Sequence, residues 1–376
     1  MEQEQGQASI AEYFSELEDP RRHNRRHKLV DIVVIAICAV VCGADSWEDI
    51  ELFGHSKEEW LKGFLELPHG IPSHDTFRRV FGVLDTEQFQ LQFLEWIQAV
   101  DNLTKGQVVA VDGKTLRRSH DRSEGKKALQ IVSAWASTNG VVLGQRKVDE
   151  ESNEITAVPE LLDALEIAGC IVTADAIHCQ RETAETIIEK KADYVLPVKD
   201  NQPRLLKTLQ GLFDDPAEMP WVECDHHRTV NKGHGRIEVR ECWCTSDPDY
   251  LDYIGSLADW PGLQSIAVVQ AERQLEGERT VQRRYFISSL KCDAELMLYA
   301  VRTHWEIENK VHWVLDIAFR EDDCRIRKGN GAENFAVLRH IALNLLRREK
   351  TSKRSLKGRR KKAGWDNDYL LKVLTG

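Results

Sequence analysis

Two aspartates and a glutamate stand where a chain could put them to chemical use. Asp112 follows the apolar run Val108–Val111, and Asp175 follows Ile171–Ala174; both runs read as short strands. Open α/β sheets gather functional groups beyond strand ends, although Asp is also an ordinary turn former there. Glu308 lies in a helix predicted from Ala294 to about Phe319. Three-and-four spacing draws a buried stripe of Val301, Trp305, Glu308, His312, Leu315 and Phe319. A carboxylate on such a stripe is costly unless it is paired or holds a cation. Glu306, roughly 200° round the helix, is expected to face solvent. Three carboxylates without cysteine fit a hard cation such as Mg²⁺ or Mn²⁺. Two such ions ~3.5–4 Å apart activate a water or a 3′-hydroxyl for in-line displacement at a phosphodiester. A competing reading makes His304, Glu308 and His312 a zinc site; it ranks second because His304 falls at the edge of the stripe.

Phosphodiester chemistry requires a grip on a polyanion. The 376 residues carry a net charge of −10, with 42% hydrophobic and 30% charged residues. That excludes a disordered chain and allows two or three domains. Spread evenly, an acidic total would argue against nucleic acid. It is not spread evenly: Arg347–Lys362 holds ten basic residues and one acid, a net +9 that leaves −19 for the other 360. Two smaller clusters are Arg21, Arg22, Arg25, Arg26 and Lys28, and Lys114, Arg117, Arg118, Arg122, Lys126 and Lys127. The bland reading of each is a solvated face.

The elements that must position these groups fall into three parts. Residues 1–100 read as helical, with candidates at Leu29–Val41, Ser46–Phe64, His74–Leu84 (capped by Ser73) and Thr86–Val100. His74–Leu84 suits a helix-turn-helix-like unit or a plain bundle. From Gln107 the order is three strands, helix, strand, helix, strand: Val108–Val111 ending at Asp112-Gly113, Ala128–Ser137, Gly140–Val148, Glu154–Ile167, Ile171–Ala174, Arg181–Lys191 and Asp193–Lys199. Asn139-Gly140 makes the hairpin turn. Residues 203–290 read as a β-rich insertion with strands at Ile237–Trp243, Ser265–Ala271 and Thr280–Ser289. Ala332–Arg348 is a further helix, and 347–376 a basic tail. The nine cysteines lack disulfide or zinc spacing, and the longest uncharged run, Ile32–Ala44, is shorter than the ~20 residues of a membrane span. A reduced, cytoplasmic protein without a signal peptide is expected.

Strand-Asp, strand-Asp and helix-Glu, with a β insertion before the Glu helix, resembles the ribonuclease-H-like core of DDE transposases, and the wording resembles more particularly the H-repeat-associated transposases of Rhs elements. The matching stretches are Asp19-Pro20-Arg21, Gly70–Phe77, Val111–Lys114, Ser152–Ile155, Thr173–Ala176, Lys199–Gln202, Gly233–Arg236 and His304–Asn309. They span residues 19 to about 345. The resemblance implies an α/β mixed sheet flanked by helices, over residues 101–346, behind a helical N-terminal domain. It implies Asp112, Asp175 and Glu308 as the triad that binds two Mg²⁺ or Mn²⁺ ions. The implied activity is cleavage at element ends and strand transfer, with double-stranded DNA as partner and a dimer or larger assembly. Candidate DNA contacts are Lys114, Arg117, Arg118, Arg236, His304, Lys310, His312, Arg347, Arg348, Arg359 and Arg360. Against the family pattern, His304, Val301 and Leu315 occupy the usual Arg, Tyr and distal Lys slots around the Glu, and Glu151 stands where a Lys is expected. A silent DNA-binding remnant and a structure-specific nuclease are the alternatives.

Overall fold

A computed structural model of the chain describes residues 10–375 apart from 24, 101–102, 121–124, 149–153, 215–222, 234, 258 and 276–277. Arg122, Glu151, Ser152, Asn153 and His234 therefore lie outside the described residues.

Six helices come first: α1 (Ile10–Tyr13), α2 (Leu29–Cys42), α3 (Trp47–Ser56), α4 (Glu58–Leu61), α5 (His74–Val83) and α6 (Thr86–Val100). The predicted Ser46–Phe64 helix breaks at Lys57. Helix α2 has no charge after Asp31 and is buried on every side from Ile32 to Val41, as expected of a helix that is apolar all round. Helix α5 packs between α3 and a late helix, α13 (Gly331–Arg348), so it is a bundle helix. Asn334 of α13 donates to the carbonyls of Phe81 and Leu84 at the end of α5, satisfying groups a helix end leaves open. Gly329 has φ +55°, and a Cβ there would sit 2.1 Å from the Gly82 carbonyl oxygen; only glycine permits this approach.

The sheet is built from β1 (Val108–Thr115), β2 (Gln130–Ala136), β3 (Val141–Lys147), β4 (Ile171–Ala174), β5 (Asp193–Val198), β6 (Asp225–Gly233), β7 (Arg236–Thr245), β8 (Ser265–Leu275) and β9 (Glu278–Ser288). Between them run α7 (Glu154–Asp163), α8 (Arg181–Glu189), α9 (Pro203–Asp214) and α10 (Pro248–Leu257). The nine strands form one sheet in the order β3-β2-β1-β4-β5-β9-β8-β7-β6. β4 runs parallel to β1 and β5, and every other pairing is antiparallel. The β-rich insertion thus extends the core sheet, because β9 pairs with β5. Strand β6 and helices α9 and α10 are additional to the expected elements.

After β9 come α11 (Ala294–His304), a π-helical turn (Glu308–His312) and α12 (Trp313–Phe319). The basic segment is folded: α14 (Leu356–Trp365) and α15 (Asn367–Thr375) pack on α2. One continuous core of buried side chains joins Ile10 to Val373. No single helix among the described residues is long and apolar enough to cross a membrane. All nine cysteines are free thiols.

Candidate active site

Asp112 lies within β1 and not at its end, because β2 continues to pair with β1 as far as Thr115. The parallel neighbour β4 stops earlier: Val111 pairs with Ala174, the last residue of that strand. Asp112 and Asp175 are therefore the next residues along two parallel strands, at the point where one turns away. Asp112 is largely buried, its side chain 19% exposed, while that of Asp175 is 58% exposed. Burial pushes the Asp112 carboxyl above the usual range; His312 opposes this and the Asp175 charge reinforces it. A hydrogen bond from His304 holds Asp175 below the usual range.

Glu308 enters from the π-helical turn. A π-turn adds a residue per turn, so the face changes phase there. Ile307 and Val311 become the buried residues, while Trp305 is 49% exposed and the Glu308 side chain 58% exposed. The expected stripe of Val301, Trp305, Glu308 and His312 is corrected accordingly: Glu308 is an accessible carboxylate at the cleft. Glu306 is not free in solvent but pairs with Lys310 at 2.8 Å.

His312 stays buried and joins the two carboxylates. Its Nδ1 is 3.1 Å from Glu308 Oε2 and 3.4 Å from Asp112 Oδ2. Its Nε2 has no hydrogen-bond partner among the described residues. Ligand atoms of Asp112, Glu308 and His312 lie within 4.8 Å of one another. Two carboxylates and an imidazole at that spacing fit a divalent cation. Asp175 stands outside this trio, bound to His304 at 3.5 Å, and Thr173 Oγ1 is 3.2 Å from His304 Nδ1. His304 therefore orients Asp175, and the zinc arrangement of His304 with Glu308 and His312 does not form.

The candidate DNA contacts divide by environment. Lys114 is internal: its ammonium pairs with Asp316 and with Glu321 at 2.9 Å, and donates to the His312 carbonyl. Burial works against the charge, but Glu321 and Asp316 hold its proton affinity up. Lys114 thus ties β1 to the helix that carries Glu308. Arg360 is buried too, stacked on Phe319 and donating to the carbonyls of Val40 and Ala318. Arg347 serves the carbonyls of Gly140 and Lys310, Arg348 that of Val100, and Arg359 those of Leu346 and Glu349. These guanidiniums satisfy carbonyls left open at helix ends and turns, so the arginines expected to hold DNA hold the fold.

Arg117, Arg118, Arg236 and Lys310 remain exposed, paired with Asp322, Asp323, Glu238 and Glu306 respectively. Arg236 lines a groove of about 540 Å³ with Arg240, Arg273, Arg284, Arg302 and Trp305. The Arg284 guanidinium lies 5.0 Å over the Trp305 ring. Only Arg236 of this groove was proposed as a DNA contact from the sequence; Arg240, Arg273 and Arg284 share one face with it through the β7–β8–β9 register, and α11 brings Arg302 and Trp305.

Two further groups adjoin the carboxylates. Glu154, the first residue of α7, has its proton affinity raised by burial and by Asp112 and Asp175. His178 is fully buried beside it, its affinity pushed down to about 4 by burial. Glu154 stood in a quoted motif without a role, and His178 carried no signal.

A β3-β2-β1-β4-β5 core with acidic groups at the β1/β4 step and on the helix after an insertion is the ribonuclease-H-like arrangement of DDE domains. The chain belongs to the DDE transposase family: the model described as "Transposase DDE domain" matches residues 103–345, and "DDE_Tnp_1-associated" matches 11–97. It is 41% identical over 374 residues to "H repeat-associated putative transposase YhhI" of Escherichia coli K12, covering 98% of each chain. It is 40% identical over 371 residues to "Putative transposase YncI" of Escherichia coli O157:H7, covering 97% of this chain and 94% of that one.

Proposed function

We propose that the protein is an active transposase that cuts a phosphodiester at an element end and joins the freed 3′-hydroxyl to target DNA. The observation that supports this best is the convergence of Asp112, Glu308 and His312 within 4.8 Å, beside Asp175. Asp112, Asp175 and Glu308 would hold the divalent ions, and His312 would hold the two carboxylates in register. Bound there, a metal pair supplies an activated oxygen nucleophile and stabilises the leaving oxygen. His304 keeps Asp175 ionised and oriented, so this carboxylate enters the site already charged.

The arginine groove beside Trp305 and the exposed Arg117, Arg118 and Lys310 would take the DNA backbone, since Lys and Arg neutralise phosphates. The exposed Lys350, Lys353, Arg354, Lys357 and Lys361 replace the carbonyl-bound arginines of their segment in that role. Joining two ends requires both to be held together, so the working form is a dimer or larger assembly on DNA.

The test is cleavage and joining of an end-containing duplex with Mg²⁺ or Mn²⁺. Asp112→Asn and Glu308→Gln should each lower the rate on the order of 10³-fold, the several kcal/mol a metal site supplies. Undiminished cleavage in either variant would overturn the mechanism. End-specific binding with no cleavage by the wild type would identify a silent remnant, and hydrolysis without joining a nuclease.

A further inference from the structure

We propose that Glu154 is a fourth carboxylate of the site, holding the second divalent ion on the Asp175 side of Asp112; this rests on the metal-dependent reading above. The placement of its carboxylate comes first. A Cβ on Gly113 would lie 2.8 Å from Glu154 Oε1 and 2.9 Å from Oε2, closer than real Cβ atoms come to other atoms. Gly113 is extended, within β1, and is not among the positive-φ glycines. What the position requires is therefore the missing side chain, which lets Glu154 lie against the strand immediately after Asp112.

The electrostatics point the same way. Burial and the charges of Asp112 and Asp175 work against ionisation of Glu154. Among the described residues none donates a hydrogen bond to the Glu154 carboxylate, and the nearest ion-pairing group is His178 Nε2, 3.9 Å from Oε2. His178 is fully buried, and neither ring nitrogen has a hydrogen-bond partner among the described residues. Buried polar groups are normally satisfied, so an imidazole left open against a carboxylate marks space for something polar between them and the aspartates. A hydrated cation meets both needs: it neutralises three like charges, and its coordinated water reaches the imidazole. The first ion would lie with Glu308 and His312, the second with Asp175 and Glu154, and Asp112 would serve both.

The test is Mn²⁺ binding to the purified full-length protein without DNA, by calorimetry and electron paramagnetic resonance, with metal-free melting curves. Wild type should take up two ions. Glu154→Gln, nearly isosteric, should weaken one ion at least tenfold and spare the other. Gly113→Ala, which displaces the carboxylate without removing it, should weaken the same ion. Unchanged Mn²⁺ binding in Glu154→Gln would overturn the proposal, and a lowered metal-free melting temperature in that variant would then make Glu154 a structural partner of His178. Asp112→Asn separates the two readings. Loss of binding there with none in Glu154→Gln refutes the fourth carboxylate alone, and intact binding there refutes the metal site itself.

Discussion

His312 and Lys114 show how single side chains decide whether a cluster of acids is a site or a source of strain. His312 sits between Asp112 and Glu308, where like charges would otherwise drive the π-turn away from β1. Lys114 does the same work one layer deeper. Its partner Glu321 is fully buried and also faces Arg339 at 3.7 Å. Burial alone would raise the Glu321 carboxyl, but Lys114, Arg339 and His340 hold it below the usual range. Removing one member of a buried ion cluster leaves an uncompensated charge, so Lys114→Met should cost about 3 kcal/mol of unfolding free energy, read from denaturant titration. A change within a few tenths of a kcal/mol would mean that Lys114 is free for DNA after all. That Lys114 is structural was not legible, because Asp316 and Glu321 lie some 200 residues away along the chain.

At the scale of elements, the loop from α13 to α14 hangs on the single acid of the basic segment. Glu349 is buried and accepts from the backbone and hydroxyl of Thr351, the Ser352 amide and the Tyr369 hydroxyl. Burial opposes the charge, yet these donors prevail and bring its pKa down to about 2. A carboxyl whose folded pKa is depressed stabilises the fold above its unfolded pKa and loses that contribution as pH falls. Glu349→Gln should therefore cost about 1–3 kcal/mol at neutral pH. The gap to wild type should close between about pH 4.5 and 2 in pH-dependent melting; a gap constant across that range would exclude the assignment. The π-turn and β6 show where reading elements from sequence stops. Helical spacing assumes a constant period; the helix breaks at Trp305 and the π-turn follows, so Ile307 and Val311 take the buried side in place of Trp305 and Glu308, while Leu315 and Phe319 are buried where the spacing puts them. β6 has one apolar side chain that is clearly outward, Val230, and otherwise polar residues such as His226, Arg228 and Lys232. An edge strand armed with charge resists pairing with other chains and leaves no alternation to read. The β1–β5 strands and both site aspartates were legible because short apolar runs with sharp ends have few alternative readings.

For the molecule as a whole, charge along the chain and charge on the surface are different quantities. Arg347–Lys362 is strongly basic in sequence, yet Arg347, Arg348, Arg359 and Arg360 spend their guanidiniums on internal carbonyls. Lys350, Lys353, Arg354, Lys357 and Lys361 remain outward, while Lys362 lies over the Tyr369 ring. Replacing Lys350, Lys353, Lys357 and Lys361 by Gln should flatten the dependence of log affinity for DNA on log salt by roughly 0.9 for each lysine in phosphate contact. Arg360→Ala should lower stability and leave that slope unchanged. If the arginine variant alters the slope while the lysine variant does not, DNA binding runs through a rearranged C-terminal segment.

The packing of α13, α14 and α15 on α2 also sets the order in which the molecule can be completed. The helices that cover α2 leave the ribosome roughly 300 residues after it, on the order of tens of seconds at ordinary elongation rates. Throughout that interval the most apolar helix of the chain has α1 and α3 beside it but lacks its C-terminal partners, and the uncovered side must be sheltered by chaperones or by transient collapse. A product that terminates before Gly331 never closes its core. Truncated copies of such a gene would then yield clients of quality control, not competitors for the same DNA.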